Sequence, residues 1–289
     1  MLTKFFNICI NSGTFPTKLK SAEVHPIYKK GDKTLTTNHR PISILSPFSK
    51  ILERHIHTKL TNFITKFNIL HPFQFDFRTN SSTEMALTQI VEEISENIEK
   101  GETTCSVFLD LATAFDTVDH QILLNKLYKY GVRGLPAKLI QDYLTNRTQI
   151  TKVNNINSDI EYITCGVPQG SILGPLLFNL YINDIINSSN FKIKLFADDA
   201  CLVYSCKDAK QLEKRVNLEL IKVNIWRKLN KLSVNFSKSN YIIFTNKQNN
   251  YNYTINMDGH RLERTEEMKY LGVILDHKLS WSKHVNYII

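Results

Sequence analysis

Residues 194–204 read KLFADDACLVY, with two adjacent aspartates, Asp198 and Asp199, set between short runs of apolar and β-branched residues. Segments 192–196 and 201–204 each have the make-up of a short strand. Ala-Asp-Asp-Ala is a sensible tight connection between them, because aspartate tolerates turn geometry and left-handed backbone angles. Alone, the pair is fully accounted for as a turn. It becomes chemistry only if the fold brings another acid to it.

Residues 104–119, TCSVFLDLATAFDTVD, offer that acid. Val107, Phe108 and Leu109 carry a buried-strand signature, and Asp110 follows where the pattern changes toward turn and helix. A carboxylate at the mouth of an apolar strand must be solvated, paired or metal-bound, because an isolated buried charge is too costly to keep; a helix-capping role is the plain alternative. If Asp110 and the Asp198-Asp199 turn lie on adjacent strands of one sheet, three carboxylates converge and repel unless divalent cations neutralise them. Hard oxygen ligands with room for water and phosphate suit Mg²⁺. Two such ions can hold the attacking and the leaving oxygen of a phosphoryl transfer.

The rest of the composition is compatible with such a site. At 289 residues, 42% hydrophobic and 22% charged, the chain reads as globular, with one large domain or two interlocked ones. No run reaches the roughly 18 apolar residues of a membrane helix, and MLTKFFNICINSG is too short and too polar for a signal peptide. The reading is of a soluble chain. Five scattered cysteines without CxxC spacing indicate neither zinc nor a disulfide framework, which points to a reducing, intracellular compartment. Of the net charge of +9, most falls in residues 1–80, where twelve Lys and Arg stand against four acids. That is the electrostatic footprint of a polyanion binder.

No repeat or long Gly/Ser/Pro linker divides the sequence. The pattern predicts a loop and basic strand to about residue 45, then helices over 47–68, 81–99, 119–130 and 136–145. Strands follow over 148–153 and 160–164, then a helix over 174–187, the hairpin and a helix over 208–231. Strands over 233–236, 240–245, 252–256 and 268–275 close the chain. Long helices mixed irregularly with strands argue an α+β architecture with a mainly antiparallel sheet. The first residues show no recognisable helix cap or folding unit, and the last read as the opening turns of a helix, so a fragment of a longer protein is expected.

FLDLATAFDTVDH (108–120), CGVPQGSILGPLLFNLYINDI (165–185) and LFADDACLVY (195–204) resemble, in order and spacing, the palm motifs of reverse transcriptases from non-LTR (LINE-type, jockey-like) retrotransposons. HPIYKKGDK and NHRPISILSPFSKILERHI (25–56) are similar to that family's fingers. LSVNFSKSNYIIF (232–244) is similar to the segment after the palm hairpin, and MKYLGVILDHKLSWSKHV (268–285) to the primer grip and the start of the thumb. The resemblance implies a right-hand polymerase with fingers over 1–100, a palm with finger insertions over 101–265, and a primer grip with a truncated thumb over 266–289. The implied activity is RNA-directed DNA polymerisation: a DNA primer extended with dNTPs on an RNA template.

The resemblance also implies roles. Asp110, Asp198 and Asp199 would be the catalytic and metal-binding carboxylates for two Mg²⁺, or Mn²⁺ in their place. Phe115 matches an aromatic gate against the ribose 2′-hydroxyl, though the same spacing suits a core aromatic. Gln169 and Gly170, in Gly166-Val-Pro-Gln-Gly170, match a loop under the incoming nucleotide and template base. Their glycines let a backbone approach a ligand closely, and a strand-to-helix turn is the compatible alternative. Arg40 matches an arginine on the triphosphate, with Lys30 as a companion from a run that is otherwise a solvated loop. Lys238 matches a lysine near the leaving pyrophosphate, or is an exposed turn lysine. Tyr270, Leu271 and Gly272 match the primer grip.

Three positions depart from the family pattern: Asp76 where glycine is usual, His39 for tyrosine and Leu19 for tryptophan. Asp76 places a negative charge near the expected template path. Two other readings stand beside the polymerase: an inactive, truncated nucleic-acid-binding remnant of such an element, and a group II intron-type enzyme. Localisation to nucleus or cytoplasm follows only by analogy, since no clear nuclear-localisation cluster is present.

Overall fold

The structure is a computed structural model that describes residues 1–247 and 251–289. In chain order the elements are α1 (Leu2–Ser12), β1 (Ser21–Tyr28), β2 (His39–Leu45), α2 (Pro47–Lys66), α3 (Thr83–Glu99), β3 (Thr103–Ala112), α4 (His120–Lys129), α5 (Gly134–Leu144), β4 (Arg147–Val153), β5 (Ile156–Asn157) and β6 (Glu161–Ile163). They continue with α6 (Leu173–Ile182), β7 (Lys192–Phe196), β8 (Asp199–Cys206), α7 (Ala209–Leu229), β9 (Ser233–Val234), β10 (Asn240–Phe244), β11 (Asn256–Met257), β12 (His260–Arg261), β13 (Glu263–Arg264), β14 (Glu267–Tyr270), β15 (Val273–Asp276) and α8 (Ser282–Ile288).

Side chains set several helix starts. Ser82, Asp119 and Asp208 accept the backbone N–H three residues on, at 3.2, 2.9 and 2.7 Å, and so cap α3, α4 and α7. Pro47 opens α2, where its missing N–H costs nothing.

The chain forms two interleaved compact units, Met1–Leu70 with Thr113–Ile182, and His71–Ala112 with Asn183–Ile289. In the first, a sheet of order β2-β1-β4-β5 has β6 on β4; β1 runs antiparallel to β2 and parallel to β4. Helix α6 is buried on nearly every side, as an apolar helix at the centre of a unit must be. Glu53 of α2, fully buried, receives the N–H groups of Ile172 and Leu173 at 2.8 and 3.3 Å and the Ser49 hydroxyl at 2.8 Å. It thereby satisfies donors at the start of α6 that the helix cannot satisfy itself.

The second unit holds a sheet of order β13-β10-β3-β8-β7, antiparallel except for β13 on β10. Strand β3 is buried at every position from Thr103 to Leu109. One face packs Phe108, Cys201, Val203, Ile242 and Phe244 against Leu87, Ile90 and Ile94 of α3 and against Tyr270 and Leu275 of the β14–β15 hairpin.

Four sequence expectations are corrected. The first residues do form a folding element: α1 ends at Gly13, whose φ of 65° is the left-handed conformation that closes a helix. The single strand expected over 268–275 is a hairpin, because Leu271 and Gly272 both take positive φ, 47° and 89°. The strand expected over 252–256 shrinks to β11, paired with β12 across Asp258-Gly259, an Asp-Gly hairpin signal that the apolar pattern had hidden. The helix expected over 174–187 tightens after Ile182 into a 3₁₀ turn, Asn183–Asn187.

Candidate active site

Strand alternation sends Phe108 and Asp110 to the same face of β3. The β3–β8 register sets Cys201 opposite Phe108 and Asp199 opposite Asp110. Directly opposed residues of an antiparallel pair have Cβ atoms about 5 Å apart, a separation at which like charges destabilise. The two acids therefore end the apolar face that packs on α3.

Asp198 arrives by the turn. Phe196 pairs with Asp199, so the connection between β7 and β8 contains only Ala197 and Asp198. The four-residue Ala-Asp-Asp-Ala turn is thus corrected: Asp199 is already in the strand, and twist compatibility favours a two-residue link. Ala197 takes φ 52°, a left-handed conformation that a residue with a Cβ adopts at a cost. The Asp198 carbonyl accepts the Leu111 N–H at 3.2 Å, pinning the turn to the end of β3.

The segment after α7 completes the surroundings. Asn235 N–H donates to the Asp110 carbonyl at 2.8 Å, Asp110 N–H donates to Ser239 Oγ at 3.2 Å, and Ser239 Oγ–H donates to the Asn235 carbonyl at 2.9 Å. Exposed Lys238 lies with Nζ 3.6 Å from Asp110 Oδ2. Sequence reasoning found Lys238 but not Asn235, which acts through its backbone and leaves no mark in residue type, or Ser239, whose hydroxyl is the visible signal.

Like charges act on one another in this group. Burial, then Asp198, then Asp110 push the Asp199 carboxyl up to about 6, with Lys238 opposing. Asp76 is raised first by burial and also by Asp198. Its loop is held beside β7 by Phe75 N–H to the Leu195 carbonyl at 3.0 Å and Leu195 N–H to the Phe73 carbonyl at 2.8 Å. Among the described residues no three His, Cys, Asp or Glu side chains close around a single point as a formed metal site. The donor set still fits a hard divalent cation: three carboxylates adjoin, the Asp199 carboxyl is pushed up first by burial and then by the other two, and Lys238 opposes that shift.

On the same face, Tyr270 is 4% exposed with its ring 5.1 Å from Phe108. Burial, Cys201 and Asp199 push its hydroxyl well up. Leu271 and Gly272 form the hairpin turn beyond it.

The remaining sequence candidates belong to the first unit. Half-buried Phe115 stacks on Phe178, with centroids 4.5 Å apart and planes at 27°. Gln169 Nε2 donates to both oxygens of Asp116, at 2.9 and 2.8 Å. Burial raises the Asp116 carboxyl, while Gln169 and Lys29 lower it. A Cβ on Gly166 would stand 2.6 Å from the Asp116 carbonyl oxygen, and one on Gly170 2.5 Å from that of Ser43. The approach these glycines permit here is to the protein's own backbone. Arg40, exposed, sits on β2 opposite Ile27, and exposed Lys30 follows β1. Asp116 and Gln169 line a cleft of about 370 Å³ with Ser43, Gln149, Thr151 and Cys165. Asp116 was missed as a site residue, although an acid inside the apolar run Ala-Phe-Asp-Thr-Val is the visible signal.

The family model described as reverse transcriptase (RNA-dependent DNA polymerase) matches residues 27–275. The chain is 31% identical over 296 residues to the probable RNA-directed DNA polymerase from transposon X-element of Drosophila melanogaster, covering 99% of this chain and 32% of that protein. It is 30% identical over 300 residues to the RNA-directed DNA polymerase from mobile element jockey of the same organism, covering 99% and 32%. The chain thus spans about a third of the length of the curated relatives it matches. Among solved structures, apo telomerase from Candida tropicalis truncated from its C-terminal domain superposes with a TM-score of 0.62 at 11% identity, over 94% of this chain and 57% of that one. At that identity the likeness is one of fold, the right-hand polymerase architecture.

Proposed function

Since the chain belongs to the reverse transcriptase (RNA-dependent DNA polymerase) family, as the match over residues 27–275 shows, we propose that it extends a DNA primer on an RNA template by adding dNTPs at Asp110, Asp198 and Asp199. The observation that carries this reading is the opposition of Asp110 and Asp199 across β3 and β8, with Asp198 in the adjoining turn. Three acids on two strands and a two-residue link make a rigid, concentrated negative charge. A structural sheet has no use for it.

Asp110, Asp198 and Asp199 would hold two Mg²⁺ ions, or Mn²⁺, which when bound supply positive charge to the attacking primer hydroxyl and to the departing pyrophosphate. The chain's own residues do the rest. Register fixes the acids, and the backbone bonds from Asn235 and to Ser239 hold Asp110 in place. Lys238 is a proton donor and counter-charge for pyrophosphate, since its ammonium already stands by Asp110. Phe115, its ring fixed on Phe178, bars a 2′-hydroxyl. Arg40, with Lys30, binds the triphosphate through its planar fork, and the Gln169-Gly170 loop contacts the nucleotide. The Tyr270-Leu271-Gly272 hairpin, tied to the sheet through Phe108, steadies the primer end. In this proposal 1–100 serve as fingers, 101–265 as palm with finger insertions, and 266–289 as primer grip and start of the thumb.

The test is primer extension on an RNA template with Mg²⁺. The wild-type chain extends and Asp198→Ala does not. A folded chain that binds primer–template and adds no nucleotide sinks the proposal.

A further inference from the structure

The Asp116–Gln169 pair goes beyond the roles assigned above. Two segments of the first unit are zipped together there: Gly166 N–H donates to the Val118 carbonyl and Val167 N–H to the Phe115 carbonyl, both at 2.8 Å. His120 Nε2 contacts the Gly166 carbonyl at 2.7 Å. The Gln169 carbonyl accepts the Ser43 N–H at 2.7 Å. The backbone on both sides of the pair is therefore fixed, and only the side-chain amide of Gln169 retains a choice: which of its two ends faces Asp116.

Chemistry makes that choice. A carboxylate only accepts, so it takes the amide nitrogen and repels the amide oxygen. Both Asp116 oxygens are occupied by Gln169 Nε2, and half-burial strengthens such a bond relative to water. With Nε2 held on Asp116, Oε1, an acceptor, is fixed at the other end of the amide for anything bound in the cleft.

We propose that Asp116 is a positioning residue that commits the nitrogen of Gln169 and leaves its oxygen to the ligand, so that Gln169 reads a hydrogen-bond donor on the bound nucleotide. This rests on the nucleotide-binding reading of the loop. The group that Oε1 meets is then not a phosphate oxygen, because phosphate accepts. The donors a nucleotide offers are a sugar hydroxyl or an exocyclic base amine.

The experiment compares wild type, Asp116→Leu and the double variant Asp116→Asn/Gln169→Glu. Readouts are single-nucleotide extension and equilibrium binding of a fluorescent dNTP to the chain with primer–template, which needs no turnover. Losing one orienting hydrogen bond corresponds to about a fivefold change. Asp116→Leu therefore raises KM and Kd about fivefold with kcat within about twofold. The double variant restores both to within about twofold, because the new amide donates and the new carboxylate keeps an oxygen for the ligand; a merely structural carboxylate would not be rescued this way. A dideoxynucleotide insensitive to Asp116→Leu identifies the sugar hydroxyl as the donor; an inosine nucleotide insensitive to it identifies the base amine. Unchanged KM and Kd in Asp116→Leu, or a double variant as weak as the single one, overturns the inference. A wild type that binds dNTP without extending it overturns the polymerase reading and leaves Kd to decide this one; one that binds no nucleotide overturns both.

Discussion

Asp110 and Asp199 stand directly opposite each other across an antiparallel strand pair, at the end of a face otherwise made of Phe108, Cys201, Val203 and Ile242. Two like charges in that register oppose folding. A sheet that keeps them is less stable than it would be with neutral residues there, and the proposed cation would offset that loss on binding.

Asp199 makes this visible in a pH profile. Its folded-state carboxyl lies near 6, above the ordinary carboxylate value of 3.8. The unfolded chain therefore releases the proton first, and stability falls as pH rises from about 4 to 6. After discounting for its partial exposure the loss is on the order of 1–2 kcal/mol. In chelator, wild type should lose this increment relative to Asp199→Asn between pH 4 and 7 in thermal melts. Identical profiles would contradict the repulsion.

Ala197 occupies the left-handed position of the β7–β8 link. A β-branched residue fits that conformation poorly, so Ala197→Val should cost about 1–2 kcal/mol in denaturant unfolding. It should also slow primer extension by displacing Asp198, whose carbonyl bond to Leu111 is the observable contact. An Ala197→Val chain with wild-type stability would show that the turn is not strained.

Glu53 receives two main-chain N–H groups at the start of α6 from within the core. Glu53→Ala leaves those donors buried without a partner and should destabilise by roughly 2–3 kcal/mol. Glu53→Gln, which keeps an acceptor, should lose less. Urea midpoints at constant slope separate the two outcomes.

Gly170→Ala tests the close approach of the Gly166–Gly170 loop to β2. The new Cβ would lie 2.5 Å from the Ser43 carbonyl, at a φ of 116° that residues with side chains rarely adopt. A loss of about 2 kcal/mol or more is expected, with the Gln169–Ser43 backbone bond among the interactions disturbed. Protection of the Ser43 amide in hydrogen exchange should fall with it; unchanged protection would place the strain elsewhere.

No helix among the described residues is long and apolar enough to cross a membrane, and the apolar residues serve the two units instead. Much of that arrangement was legible in the sequence because burial writes itself into periodicity. The 3.6-residue pattern of α2 and α3 gave those helices to within a few residues, whereas Val107, Phe108 and Leu109 marked only the centre of β3, which extends from Thr103 to Ala112 because polar Thr103, Thr104 and Ser106 are buried in it too. The hairpins at Leu271-Gly272 and Asp258-Gly259 were less legible, since a positive φ changes the direction of the chain without changing its hydropathy.

Residue type and order alone marked Asp110 as an acid following a buried apolar stretch, Asp198 and Asp199 as an acid pair between strand-like runs, and glutamine and glycine after proline in the Gly166–Gly170 loop; the expectation that Asp110 ends its strand is corrected, since β3 continues to Ala112. Side-chain chemistry is local and survives in the letters. Tertiary structure alone decided that Asp199 is a strand residue opposite Asp110, that the Asn235 N–H and the Ser239 hydroxyl clasp the Asp110 backbone, and that Asp116 takes the amide nitrogen of Gln169. Those are relations of register and closure between segments up to 129 residues apart. A one-residue slip of β8 would turn every side chain to the other face without altering a letter.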